Sequence, residues 1–125
     1  IALPVGLITD GILHSNNTRD TLTDRRAGIK TMAMGLGHKA SAILYGFEVI
    51  FPYVWIGVLS IMGLMPITTI VIFLTLAVAI GCAKTMMHSL EGGSGVIADL
   101  DVRTANLQLM FSALLTLAFI VAKFI

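Results

Sequence analysis

Charge is scarce in this chain: Asp, Glu, Lys and Arg supply only 12% of its 125 residues. Soluble domains carry about 25%. A single small core cannot hide so much apolar surface with so little charge to face water, which excludes an ordinary soluble domain. The net charge is +1, so no bulk attraction toward nucleic acid exists and no nucleic-acid partner is expected. One cysteine, Cys82, rules out an internal disulfide and a thiolate metal cluster. Glycines do gather at Glu91-Gly92-Gly93-Ser94-Gly95, but no Gly-Lys-Ser/Thr follows. A phosphate-cradling loop is therefore excluded there, and a flexible loop is expected.

Apolar residues are abundant. They make up 57% of the chain, with a mean hydropathy of +0.95, which points to an integral-membrane protein with lipid as its surroundings. Apolar segments run over 1–13, about 40–62, about 66–83 and about 105–125. A membrane helix needs about 20 apolar residues, so the first is too short to cross alone. The chain opens at Ile1 within that run, and residues 1–125 are expected to be the C-terminal part of one longer domain. The second segment contains Glu48 and Pro52, and Pro66 suits the first turn of the third. Lys123 is placed to reach the interface at the end of the fourth. Arg19, Arg25, Arg26, Lys30 and Lys39 crowd the first connection. Basic connections favour the cytoplasmic face, so the first and third connections (the third taken as Lys84 to Arg103) are expected there.

The chemistry concentrates between His14 and Gly28. Asn16, Asp20 and Asp24 follow one another at i, i+4 and i+8. On a helix, such residues turn by about 40° and rise by about 6 Å per step, so they share a stripe. Two carboxylates one turn apart repel each other, and a divalent cation removes the repulsion. Mg²⁺ prefers hard oxygen ligands and commonly binds through one or two carboxylates plus substrate phosphates. Neighbouring Arg19, Arg25, Arg26 and Lys30 have the chemistry to take phosphate oxygens. The bland alternative is a surface cluster in which the arginines simply pair with the acids. Asn16-Asn17-Thr18 also fits a glycosylation sequon, which its expected cytoplasmic, membrane-crowded position argues against.

The run Asn16-Asn17-Thr18-Arg19-Asp20 to Asp24, then Arg25-Arg26-Ala27-Gly28, Thr31-Met32-Ala33 and Leu36-Gly37, resembles the second aspartate motif of the UbiA superfamily of intramembrane prenyltransferases. Ile12-Leu13-His14-Ser15, Ile43-Leu44-Tyr45, Pro52-Tyr53 and Arg103-Thr104-Ala105-Asn106-Leu107 extend the likeness toward the 1,4-dihydroxy-2-naphthoate polyprenyltransferases and vertebrate vitamin K synthases. The resemblance implies an all-α bundle of nine transmembrane helices, of which this chain supplies the last four, with its aspartate motif at 16–24. It implies an enzyme that transfers a polyprenyl group from polyprenyl diphosphate to an aromatic acceptor, 1,4-dihydroxy-2-naphthoate, with Mg²⁺ as cofactor and membrane lipid as surroundings. A bacterial inner membrane with the site toward the cytoplasm is expected. Asp20 and Asp24 match the metal-binding, catalytic aspartates, with Asn16 beside them on the metal. Asn16, Asn17, Arg25 and Lys30 match diphosphate-binding positions. Related sequences often have Lys directly after Ala-Gly. Here Ile29 intervenes before Lys30, which makes Arg25 the stronger base. A first motif on an earlier helix completes such sites, so this stretch alone is expected to be inactive. A 4-hydroxybenzoate or homogentisate acceptor is the nearest alternative. A cation-transporter subunit is the alternative from another class, and the basic, membrane-edge position of the acids disfavours it.

Other residues carry paired readings. Glu48 either faces a cavity and touches the acceptor or stays protonated against a neighbouring helix, the second being preferred. Asp10 is open between a cavity and a surface position. His14 is expected to support the motif as a polar neighbour in preference to acid–base catalysis. Arg103 is assigned to positive-inside bias ahead of phosphate binding. Tyr45, Tyr53 and Trp55 are assigned to packing or interface anchoring, with cation–π assistance conceivable for Tyr45.

Overall fold

The computed structural model describes residues 1–21 and 35–125. Asp24, Arg25, Arg26 and Lys30 lie outside the described residues. The described residues form four α-helices: α1 (Ala2–Arg19), α2 (His38–Ile61), α3 (Leu76–Gly92) and α4 (Leu100–Ala122). Short 3₁₀ segments at Ile67–Thr75 and Ser94–Ile97 lead directly toward α3 and α4. Helix α1 packs on α2 and α4, α2 packs on α3, and α4 closes against the Ile67–Thr75 segment.

Among the described residues, three helices are long and apolar enough to cross a membrane: His38–Ile61, Ile67–Gly92 and Ser94–Ala122, with 24, 26 and 29 residues. Helix α1, with 18 residues, is the shorter fourth member. Their outer faces are apolar: Ile61, Leu74, Leu109 and Leu117 are 82%, 75%, 66% and 54% exposed. Water would oppose such a surface, whereas lipid accepts it. The chain is an integral-membrane helical bundle.

Local chemistry explains the breaks. Residues 67–72 form an unbroken run of β-branched residues, Ile67-Thr68-Thr69-Ile70-Val71-Ile72, which crowds an α-helical backbone. Here it winds as a 3₁₀ helix entered from Pro66. Its threonine hydroxyls bond back three residues, Thr69 to the Pro66 carbonyl and Thr75 to the Ile72 carbonyl, both at 2.8 Å. Gly93, at φ 78° and ψ −174°, ends α3 in a conformation open essentially to glycine alone.

The third connection differs from expectation. Lys84 and Glu91 belong to α3, Asp101 and Arg103 belong to α4, and only residues 93–99 join the two. Helices continue beyond their apolar stretch because polar side chains at their ends reach water while the backbone hydrogen-bond ladder persists. Glu91 and Gly92 are therefore the last turn of a helix, and the expected loop begins only at Gly93.

The core holds Ile8, Val49, Tyr53, Ile56, Phe111 and Leu107 among others. Tyr53 presents its ring to Phe73 and Phe111 at centroid distances of 5.8 and 5.3 Å, both edge-on. Gly11 is buried where α1 meets α2 and α4; a Cβ there would lie 3.4 Å from Val49 and 3.6 Å from Thr104 and Tyr45. Small residues of this kind let membrane helices approach closely. That approach sets the C-terminal end of α1, where the motif begins, against the start of α4.

Candidate functional site

Helix α1 ends inside the motif. Arg19 is its last residue and Asp20 is its C-cap, with the Asp20 amide donating to the Asn16 carbonyl at 3.0 Å. A carboxylate at this end faces the negative pole of the helix dipole and is disfavoured there without a cation. A cation is present: the guanidinium of Arg19. Its Nε donates to Asp20 Oδ1 at 2.9 Å, and its Nη2 donates to Asn16 Oδ1 and, at 3.4 Å, to Asp20 Oδ2. Its Nη1 donates to the Ala98 carbonyl at 3.0 Å and lies 2.9 Å from Asp101 Oδ1. Asp20 first, then Asp101, hold Arg19 above its ordinary value, so it stays charged across the neutral range. One cation thus joins the end of α1 to the start of α4.

Asn16 and Asp20 are brought together on one stripe, with their side-chain oxygens converging on a single positive group. That convergence is the test of fit for a metal: hard oxygen donors, one of them anionic, already arranged around positive charge. Among the described residues no three His, Cys, Asp or Glu side chains stand close enough to hold an ion. Asn17 is half-buried, and its carbonyl accepts from the Thr21 hydroxyl at 3.0 Å. The proposed partners Asp24, Arg25 and Lys30 fall outside the described residues.

Behind this rim lies a buried polar chain. Both Glu48 carboxyl oxygens approach His14 Nδ1, at 3.0 and 2.9 Å. His14 Nε2 lies 2.6 Å from Ser41 Oγ, and Ser41 Oγ lies 2.8 Å from Thr18 Oγ1. The Thr18 hydroxyl donates to the His14 carbonyl at 2.9 Å. Its oxygen then accepts from Ser41, whose own oxygen accepts from His14 Nε2–H. All four residues are 5% exposed or less. The order Ser–His–Glu resembles a nucleophile triad, but the Ser41 proton points to Thr18 instead of His14, and Ser41 has no exposed surface. The chain fastens α1 to α2 on the face of α1 opposite the Asn16–Asp20 stripe. Of the reading preferred for Glu48, protonated against a neighbouring helix, the contact with that helix is present, and His14 is the neighbour. Pro52 adds a local reason: lacking an N–H, it leaves the Glu48 carbonyl without its usual helical donor.

The remaining readings resolve by position. Asp10 is exposed on α1. Arg103 Nη1 donates to Thr85 Oγ1 at 3.0 Å and ties α4 to α3. Tyr45 is fully buried, with its hydroxyl 2.6 Å from Thr104 Oγ1, so it serves packing here and its ring has no open face for a cation. Trp55 is 38% exposed on the outer face of α2, with its ring 5.9 Å from that of Phe51. Sequence reasoning passed over Ser41, Thr18 and Asp101. Ser41, Tyr45 and Glu48 sit at i, i+4 and i+7 on α2, a polar stripe within an apolar span that marks Ser41 as a partner. No comparable signal marks Asp101, which meets Arg19 across the fold.

Comparison with known proteins bears on this geometry. The family described as the UbiA prenyltransferase family matches residues 1–98. The chain is similar to the UbiA prenyltransferase domain-containing protein 1 homolog of Drosophila melanogaster, 54% identical over 52 residues, covering 42% of this chain and 14% of that protein. It is similar to UbiA prenyltransferase domain-containing protein 1 of Homo sapiens, 48% identical over 59 residues, covering 47% of this chain and 18% of the relative. The mouse protein of that name matches at 44% over 73 residues, covering 55% of this chain and 22% of its own length. The chain therefore spans between about a seventh and a fifth of these relatives in the matched stretches. With that match over residues 1–98, the chain belongs to the UbiA prenyltransferase family.

Proposed function

We propose that this chain carries one half of the metal–diphosphate site of an intramembrane prenyltransferase. The observation that supports the reading is the convergence of Asn16 and Asp20 oxygens on one cation at the end of α1, in a chain of the UbiA prenyltransferase family. Asp20, Asp24 and Asn16 hold Mg²⁺. Asn17, Arg25 and Lys30 meet the diphosphate of a polyprenyl donor. Bound Mg²⁺ would supply charge neutralisation on the diphosphate oxygens.

The chain's residues act on the leaving group. The donor's allylic C–O bond breaks, and its electron pair departs with diphosphate. Arg25 and Lys30 stabilise that growing charge. The ring of the acceptor, 1,4-dihydroxy-2-naphthoate, then supplies the electron pair for the new C–C bond. Loss of its carboxyl group as CO₂ restores the aromatic ring. The helix clamp formed by His14, Glu48, Ser41 and Thr18 keeps the rim in place and takes no part in bond breaking. The site faces the side that carries the basic first connection, in this reading the cytoplasm. The relatives compared are animal proteins, so they lend no support to the bacterial inner membrane expected from sequence.

The test uses the full-length protein and measures Mg²⁺-dependent diphosphate release from a polyprenyl donor. Asp20→Asn and Asp24→Asn are each expected to lower the rate by about a hundredfold or more. Wild-type turnover in both variants would end the assignment. Offering 1,4-dihydroxy-2-naphthoate, 4-hydroxybenzoate and homogentisate in parallel identifies the acceptor, and preference for either of the last two corrects the naphthoate reading.

A further inference from the structure

Every donor edge of one side chain is engaged where the metal is proposed to sit. The Arg19 guanidinium contacts Asn16 Oδ1 and both Asp20 oxygens through Nε and Nη2. Its remaining nitrogen, Nη1, is held separately by the Ala98 carbonyl and Asp101, at 3.0 and 2.9 Å. The two sets of contacts belong to different helical ends: one to α1, the other to α4 and the turn before it. A side chain anchored on both sides can release one set and keep the other.

A divalent ion and a guanidinium compete for the same oxygens, because both are positive and both draw on the same lone pairs. We propose that Arg19 is a resident counter-cation that the metal displaces from Asn16 and Asp20, and that the displaced guanidinium, still tethered by Asp101 and Ala98, becomes a diphosphate-binding group. The proposal rests on the metal–diphosphate reading above.

Charge accounting gives it a functional consequence. Among the described residues at the rim, Asp20, Asp101 and Arg19 sum to −1, and a bound divalent ion brings these three to +1. Without an anion, Arg19 and the metal repel each other. With diphosphate present, both are attracted to the same ligand, and the guanidinium can grip two phosphate oxygens at once. Metal and diphosphate then bind as a coupled pair, each raising the affinity for the other. Empty sites stay closed to the ion by an internal cation.

The experiment is done on full-length protein in detergent, with Mn²⁺ as an electron-paramagnetic-resonance probe and inorganic pyrophosphate as the anion. Arg19→Gln is expected to move the two affinities in opposite directions. Mn²⁺ without pyrophosphate tightens about fivefold, and pyrophosphate at saturating Mn²⁺ weakens about tenfold, both within the usual range of coupling between sites. Arg19→Lys keeps the charge and loses the fork, so Mn²⁺ binding alone stays near wild type and pyrophosphate weakens partway. It also serves if the glutamine variant does not fold. Both affinities weakening together in Arg19→Gln, or neither changing, overturns the inference. For Arg19→Lys, wild-type pyrophosphate affinity does the same. Asp20→Asn separates the two levels. If it loses Mn²⁺ while the Arg19 variants behave as wild type, only the displacement idea falls. If it binds Mn²⁺ like wild type, the metal reading falls and the displacement with it.

Discussion

Glu48 and His14 depend on each other because neither has another charged partner among the described salt bridges. Glu48→Gln retains an oxygen and an amide for Nδ1, and its stability is expected to stay within about 1 kcal/mol of wild type. Glu48→Leu strands the Nδ1 of a buried imidazole, which costs about 1–3 kcal/mol. Thermal unfolding in detergent separates the two, and equal midpoints would show that the hydrogen bonds carry no weight. Tyr45→Phe removes one neutral bond to Thr104, which keeps its own donation to the Leu100 carbonyl at 2.6 Å. A loss of about 0.5–1.5 kcal/mol is expected by the same measurement. At this scale the sequence was informative about which residues matter and silent about whom they meet. Glu48 stands out as an ionisable group within an apolar span. Its partner is 34 positions away, and pairing depends on how α1 and α2 are rotated, which residue spacing within one helix does not encode.

Helix ends were harder to read than helix centres. The apolar runs located α2 closely, because His38 and Lys39 mark its start and Gly63, at φ 71°, follows its end. They misplaced the α3–α4 junction, because α3 continues through Lys84 and Glu91 to Gly92 and α4 begins before Arg103. The signal for the true end is Gly93, whose backbone no side chain tolerates cheaply. Gly93→Ala is expected to cost about 1–3 kcal/mol, again read from thermal unfolding; an unchanged midpoint would mean that α3 ends for another reason. The Asn16–Asp20 stripe was legible from its i, i+4 spacing. That Asp20 caps the helix was not, since no glycine or proline marks an end there.

The whole molecule turns an apolar surface outward and keeps its hydrogen bonds within. Ser60–Thr69 and Tyr53–Thr75 join α2 to the 3₁₀ segment at 2.6 and 2.7 Å, and Thr68 donates to the Ala118 carbonyl of α4 at 2.8 Å. In lipid such bonds replace the water contacts that a soluble protein would make. Leu109, near the middle of the Ser94–Ala122 span, is on the outer face of α4 and has no packing role that a charge would disturb directly. Leu109→Lys is nevertheless expected to cost about 3 kcal/mol of membrane insertion, measured as the inserted fraction of α4. Full insertion of that variant would contradict a lipid-facing surface. Composition alone made this membrane character legible, and the motif made the family legible. Chemistry at the rim was readable only as a pattern of residue types, because its geometry requires two helix ends to meet.

In the proposed site, Asp20 and Asp24 share a divalent ion with a diphosphate leaving group. The most direct measurement is a structure of the full-length protein bound to Mg²⁺ and a polyprenyl diphosphate analogue. Carboxylate oxygens of both residues at about 2.0–2.1 Å from Mg²⁺ are the predicted result. Carboxylates turned to lipid, or an ion coordinated elsewhere, would contradict it.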